Sequence, residues 1–293
     1  MMGKLYLKLF LVFTAVAVTA LVACKPKSEK FTSPKGYDLN NPSKFIMPED
    51  LLEISGIAFQ NMDASTVFSI QDEDGKLFAQ KWGIKKATAV KFESKGDYED
   101  LAIYKQTVFI LKSSGSLFVF PLADINKKKS LSVKEWKKVV PKGEYESLYM
   151  DEPNHKLYIL TKNSTDDHKS RLSTGYVFNY DPSTGNLAFS SDFKIKSKEI
   201  EALGQDIRTG LKASALSHNP LTQEWYILSS VNKLLVVAGA DWKVQSVYRL
   251  DSSIFNQPEG LAFDRQGNLY ISNEGDELSN GNILKFKYNP SAK

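Results

Sequence analysis

The sequence predicts an all-β chain folded as a single five-bladed β-propeller with one short inserted helix, six blades being the alternative count. Two observations carry this. One short phrase recurs five times, and each copy is followed by the same succession of strand-like runs. The phrase reads Glu53-Ile-Ser-Gly-Ile-Ala-Phe59, Tyr98-Glu-Asp-Leu-Ala-Ile103, Tyr145-Glu-Ser-Leu-Tyr-Met150, Ala213-Ser-Ala-Leu-Ser217 and Pro258-Glu-Gly-Leu-Ala-Phe263. Aligned on Gly56, Asp100, Ser147, Ala215 and Gly260, the copies stand 44, 47, 68 and 45 residues apart. Three to four short strands every ~45 residues is the repeat of a propeller blade. A sandwich has no reason to repeat its own sequence five times.

Each phrase leads through a turn into a second run, such as Thr66-Val-Phe-Ser-Ile70, Lys156-Leu-Tyr-Ile-Leu160 or Asn268-Leu-Tyr-Ile-Ser272. A third run follows, such as Ser116-Leu-Phe-Val-Phe120 or Lys233-Leu-Leu-Val-Val237. β-branched and aromatic residues fill the runs, and Asp74-Gly75, Ser114-Gly115 and Gly267-Asn268 punctuate them. The long interval between the third and fourth phrases has its own explanation. Residues 163–174 are polar and read as an extended loop. Ile200, Leu203, Ile207 and Leu211 then recur at helical spacing, with Ser197 placed to cap that helix. The segment Lys44-Phe-Ile-Met47 is expected to close the ring as the outer strand of the last blade, which removes an exposed edge.

Ahead of the propeller, assigned to 37–293, the N-terminus reads as an address. Lys4 and Lys8 precede an apolar run from Leu9 to Ala23, too short to prefer a spanning helix over a secretory signal. Leu21-Val22-Ala23-Cys24 resembles a bacterial lipobox, so residues 1–23 are expected to be a lipoprotein signal peptide and Cys24 the lipidated residue. Cys24 is the only cysteine in the chain, which excludes an intrachain disulfide and a thiolate metal cluster. Residues 24–36, rich in Lys, Ser and Pro, read as a flexible tether. The expected location is the bacterial cell envelope, on the membrane through the acyl chains of Cys24. A net charge of +4, +2 once residues 1–23 are removed, gives nucleic acid no electrostatic attraction. The propeller is expected to be a monomer that meets an unspecified ligand or protein at one of its faces.

The innermost strand of each blade lines the central channel, and the phrase supplies it. One position before the aligned residue, the repeats carry Ser55, Glu99, Glu146, Ser214 and Glu259. Symmetry therefore directs three carboxylates and two hydroxyls at one level of a narrow channel. Like charges so close oppose each other, and a hard cation resolves the conflict. An all-oxygen set selects calcium over zinc or copper. The alternative is that these glutamates cap backbone groups or hold channel water. Asp72 and Glu274 occupy equivalent positions after the second runs of the first and last blades, where the other blades carry Ser113, Lys162 and Ser230. Glu53, two residues before Ser55, faces the same way. Asp72 and Glu274 are expected to converge at the channel mouth or else to form a solvated acidic turn. His218 and the basic run Lys127–Lys138 are expected to be structural and solvated, and no nucleophile motif stands out.

Taken together, Glu-Ile-Ser-Gly (53–56), Gln-Asp-Glu-Asp-Gly (71–75), Gly-Asp-Tyr-Glu-Asp-Leu-Ala (96–102), Ser-Ala-Leu-Ser-His-Asn-Pro (214–220), Gln-Pro-Glu-Gly-Leu-Ala-Phe-Asp (257–264) and Leu-Tyr-Ile-Ser-Asn-Glu-Gly (269–275) resemble the SdiA-regulated family. The resemblance spans roughly residues 37–288. It implies a five-bladed propeller related to NHL-type repeats with a bound calcium, and no settled activity. Glu99, Glu146 and Glu259 match the family's strand positions, and Asp72, Glu73, Asn273 and Glu274 match its phrases. Two functions follow from these readings: a lipid-anchored binding module centred on calcium, or a calcium-dependent hydrolase of the lactonase-propeller type.

Overall fold

The computed structural model describes residues 31–291, so Cys24 and the signal-peptide reading lie outside the described residues. Packing begins slightly ahead of the expected domain start, with Pro34 and Gly36 buried and Tyr37 deep in the core. The chain then lays down β1 (Ser43–Ile46) and runs through five antiparallel sheets of four strands each. Blade one is β2 (Ile54–Ala58), β3 (Thr66–Gln71), β4 (Lys76–Lys81) and β5 (Thr88–Lys91). Blade two is β6 (Tyr98–Tyr104), β7 (Thr107–Lys112), β8 (Leu117–Pro121) and β9 (Lys134–Trp136). Blade three is β10 (Glu144–Asp151), β11 (Lys156–Asn163), β12 (Leu172–Asp181) and β13 (Asn186–Lys196). Blade four is β14 (Ala215–His218), β15 (Trp225–Ser229), β16 (Leu234–Ala238) and β17 (Val244–Arg249). The last blade is β18 (Gln257–Phe263), β19 (Leu269–Glu274), β20 (Asn282–Phe286) and, on its outer edge, β1.

Each blade must bury both faces, and the sequence supplies apolar side chains on both. All five residues of β15 and all five of β16 are buried. The result is five apolar cores, one between each pair of neighbouring blades. The core that closes the ring joins Phe45, Met47, Ile57 and Val67 to Tyr270 and Ile283. The expected outer strand forms there: Lys44 stands opposite Leu284 and Phe45 opposite Ile283, and the Met47 N–H donates to the Gly281 carbonyl at 2.8 Å.

Around the axis, every innermost strand packs against the innermost strands on both sides, β2 meeting β6 and β18, and β10 meeting β6 and β14. Glycine makes two of these approaches possible. A Cβ on Gly260 would lie 2.6 Å from the Ser55 carbonyl oxygen, and one on Gly56 would lie 2.7 Å from the Asp100 Cα.

The long third interval departs from expectation in detail. The polar stretch holds a helix, α1 (Thr165–Ser170), capped by the Ser164 side chain, which accepts from the Asp167 N–H at 3.1 Å. The extra length is shared mainly between the long hairpin of β12 and β13 and the segment 197–214 that follows it. The second helix, α2, covers only Ser197–Ala202; Ser197 is its first residue, not its cap, and its hydroxyl caps nothing. Ile207 and Leu211 lie beyond it. Gly204 and Gly210, at φ 87° and 83°, turn the chain out of helical geometry. Ile200, Ile207 and Leu211 are buried all the same, in the core between blades three and four, whereas Leu203 is exposed, so the spacing recorded burial for three of its four residues without a continuous helix.

Candidate functional site: an acidic channel mouth

All five innermost strands begin at one end of the channel, and the antiparallel second strands end there. The first residues of the phrases and the last residues of the second strands therefore share one mouth. At that mouth the strand pairing is irregular in a repeated way. Register shifts fall between Ile54 and Ile57, Tyr98 and Asp100, Tyr145 and Ser147, and Pro258 and Gly260. Glu99, Glu146 and Glu259 are thus each the extra residue of a β-bulge, a device that re-aims a side chain out of the pleat. In blade four the strand starts one residue later, and the Ser214 N–H donates to the Leu228 carbonyl at 2.8 Å.

The electrostatics show which of these side chains share a site. Burial pushes the Glu99 carboxyl up to about 9, with the nearby Glu146 charge adding to it. Burial and then Glu259 push Glu146 up to about 7. Burial also raises Glu259, against hydrogen bonds from Ser214 and Ser230 that favour its charged form. Glu274 is pushed up to about 8 by burial, then by Glu259, Asp72 and Glu53. Asp72 rises to about 6 through burial and the Glu53 charge. The six expected acids therefore act on one another as a single group spanning the mouth, with Glu53 the most exposed of them.

They are not arranged around a point. Among the described residues, no three His, Cys, Asp or Glu side chains stand together as a metal ion would hold them. The donor chemistry fits a hard cation nonetheless. Three buried side-chain oxygens have no hydrogen-bond partner at this mouth: Asp72 Oδ1, Glu146 Oε2 and Asn273 Oδ1. Buried acceptors left bare are costly, and a cation relieves them without needing donor hydrogens.

Some expected participants are engaged elsewhere. The Ser55 hydroxyl donates to the Glu99 carbonyl oxygen of the next blade, and the Ser272 hydroxyl donates to the Ser55 carbonyl at 2.6 Å. Glu73 pairs with exposed Lys95 at 3.0 Å. His218 lies at the opposite end of the channel, with its ring 4.7 Å from that of Trp225. Lys127 and Lys137, in the basic run, pair with Asp124 and Glu135.

The residue that sequence reasoning undervalued is Lys162. It sits at the same height as Asp72 and Glu274, its ammonium pairs with Glu146 Oε1, and the charges of Glu259 and Glu99 also act on it. The count that aligned Asp72 with Glu274 had already placed it there. What counting leaves out is the reach of a long side chain into the mouth.

The other end of the channel is different in kind. Ile57, Leu101, Leu148, Met150, Leu216 and Leu261 line a cavity of about 80 Å³, together with the polar Asn61, Glu152, Ser217 and His218.

The family model described as SdiA-regulated matches residues 46–277. No curated protein matches the chain in sequence. Among solved structures, a glutaminyl cyclase from Myxococcus xanthus shares 13% identity at a TM-score of 0.52, covering 84% of this chain and 95% of that one. The Cps50 (Swd1) β-propeller domain from Myceliophteria thermophila shares 8% identity at a TM-score of 0.46, with 82% and 99% covered. A nidogen/laminin complex chain shares 12% at 0.48, with 75% and 72% covered. At 13% identity the likeness to the cyclase is one of fold alone.

Proposed function

The chain belongs to the SdiA-regulated family, and from that premise and the geometry of the mouth we propose that it is a binding module, held at a membrane by acyl chains on Cys24, whose acidic channel mouth takes calcium. The observation that carries this reading is the set of partnerless buried oxygens of Asp72, Glu146 and Asn273, inside a ring of carboxylates that burial and mutual repulsion hold away from their ordinary charge. Glu99, Glu146, Glu259, Glu274, Asp72 and the Asn273 side-chain amide oxygen are the groups that would hold the ion. It would supply positive charge at the mouth and a bridge to a ligand's own oxygens. The channel narrows to apolar packing below, so a ligand is expected to rest on the acidic face and not to thread through.

Calcium calorimetry on the protein, beside the Glu259→Gln variant, tests the reading. Saturable binding that the variant weakens at least tenfold supports it. Heat of dilution alone, from a folded protein, would sink it. A parallel screen of lactone and phosphoester hydrolysis with and without chelator separates the two functional classes. Hydrolysis that chelation abolishes would replace the binding module with a metal-dependent hydrolase. Acyl labelling of the chain and of Cys24→Ser checks the anchor: loss of label and release from the membrane fraction are expected for the variant.

A further inference from the structure

The mouth already contains a cation of its own. Lys162 is carried on β11, and its ammonium reaches Glu146 Oε1, while the other oxygen of that carboxylate, Oε2, is buried with no partner. The Lys162 side chain is 27% exposed, so its charge is only partly screened by water. Glu146 is its direct partner, and the charges of Glu259 and Glu99 also act on it. The equivalent position carries Asp72 in blade one, Glu274 in the last blade, and serines at Ser113 and Ser230. Only blade three breaks the acidic or neutral pattern of that ring with a positive charge.

We infer that Lys162 is a tethered competitor for the calcium site: the ion enters by displacing its ammonium from Glu146, and this exchange sets which cations the mouth accepts. The inference rests on the calcium reading of the mouth given above. Its physics is a balance of charge. Glu146 Oε1 cannot face the ammonium and an ion at once, and two cations side by side repel, so the ammonium must leave that oxygen when an ion takes it. Withdrawal is open to it, because a lysine stem carries its charge on four flexible carbons and can return the ammonium to water. A monovalent ion that ejects the ammonium replaces one unit charge with another and gains little. A divalent ion leaves the cluster with one more unit of positive charge than before, so the exchange favours calcium over sodium or potassium.

Calcium titration calorimetry in the full protein, on the native chain, Lys162→Met and Lys162→Arg, tests this. The methionine keeps the stem and removes the charge, and the arginine keeps the charge. Lys162→Met is expected to bind calcium about 10- to 100-fold more tightly, the size of an ordinary coupling between two sites. Lys162→Arg is expected to bind no more tightly than the native chain. Melting curves in chelator add a second readout: Lys162→Met should melt lower than the native protein, because Glu146 loses its partner, and should recover more on adding calcium. Equal or weaker calcium binding by folded Lys162→Met would overturn the inference and leave the calcium reading standing. Absence of calcium binding in both folded chains would overturn the calcium reading, and the inference with it.

Discussion

At the scale of single residues, the mouth is a set of acids whose ordinary charge the fold opposes. Glu99, held up to about 9, and Glu274, up to about 8, bind protons in the folded protein that the unfolded chain, with glutamates near ~4.3, releases. Stability from these neutral forms is full below about pH 4 and is lost as the pH rises through about 8 to 9. In chelator, the melting temperature is therefore expected to fall between pH 5 and pH 9. Glu99→Gln, uncharged throughout, should flatten part of that slope. A level or rising melting temperature over the same interval would contradict the assignment. Asp100 is a different case one residue further on. Its carboxyl is fully buried and accepts from the Leu101 and Leu148 N–H groups, each at 2.8 Å, tying blade two to blade three. Asp100→Ala strands both amides in the interior, at about 1–3 kcal/mol for each. Urea unfolding should show that loss, and a smaller one for Asp100→Asn, which keeps an acceptor oxygen.

At the scale of elements, the ring closes through four residues of β1. Phe45 is buried against Met47, Ile54 and Tyr270, and its ring lies 5.2 Å from that of Trp82. Phe45→Ala is expected to cost about 3 kcal/mol, the lower end for removing a buried aromatic, and chemical denaturation measures it. Beginning the chain after Met47 uncovers the edge of β20, which should then self-associate as concentration rises in light scattering. A stable monomer from that truncation would show that β1 is dispensable. Elements were also where the sequence was most and least legible. The five blades could be read because every blade repeats one demand, two buried faces and a crowded inner strand, and Gly56 and Gly260 mark the crowding. The interval after blade three could not. There Ile200, Ile207 and Leu211 all face the same core, but Gly204 and Gly210 break the helix that their spacing suggested. Periodicity reports burial, and the backbone that delivers it is a separate matter. The same limit hid Lys162. Register fixes a residue's height on a strand, whereas ion pairing depends on how far its side chain extends.

At the scale of the whole molecule, five interblade cores form a closed circuit, so stabilising the axis stabilises every blade that meets there. The two ends of that axis are unlike, acidic where the innermost strands begin and apolar around Leu148, Leu216 and Leu261 beyond. If the mouth takes an ion as proposed, side chains from blades one, two, three and five would hold it, and the closed circuit would pass its stabilisation to blade four as well. Calcium at about 100 times its dissociation constant should then add about 2.7 kcal/mol to folding. In a domain of this size, that raises a single melting transition by about 5–10 °C. Glu259→Gln is expected to lose most of the rise, since its charge acts on both Glu146 and Glu274. The form of the curve matters as much as the shift. One transition moving as a unit is the expected outcome in differential scanning calorimetry, because no blade has both faces covered without its two neighbours. A calcium-dependent peak that separates from an unmoved second peak would mean that the blades unfold independently, and the ring would not be the cooperative unit its five cores imply.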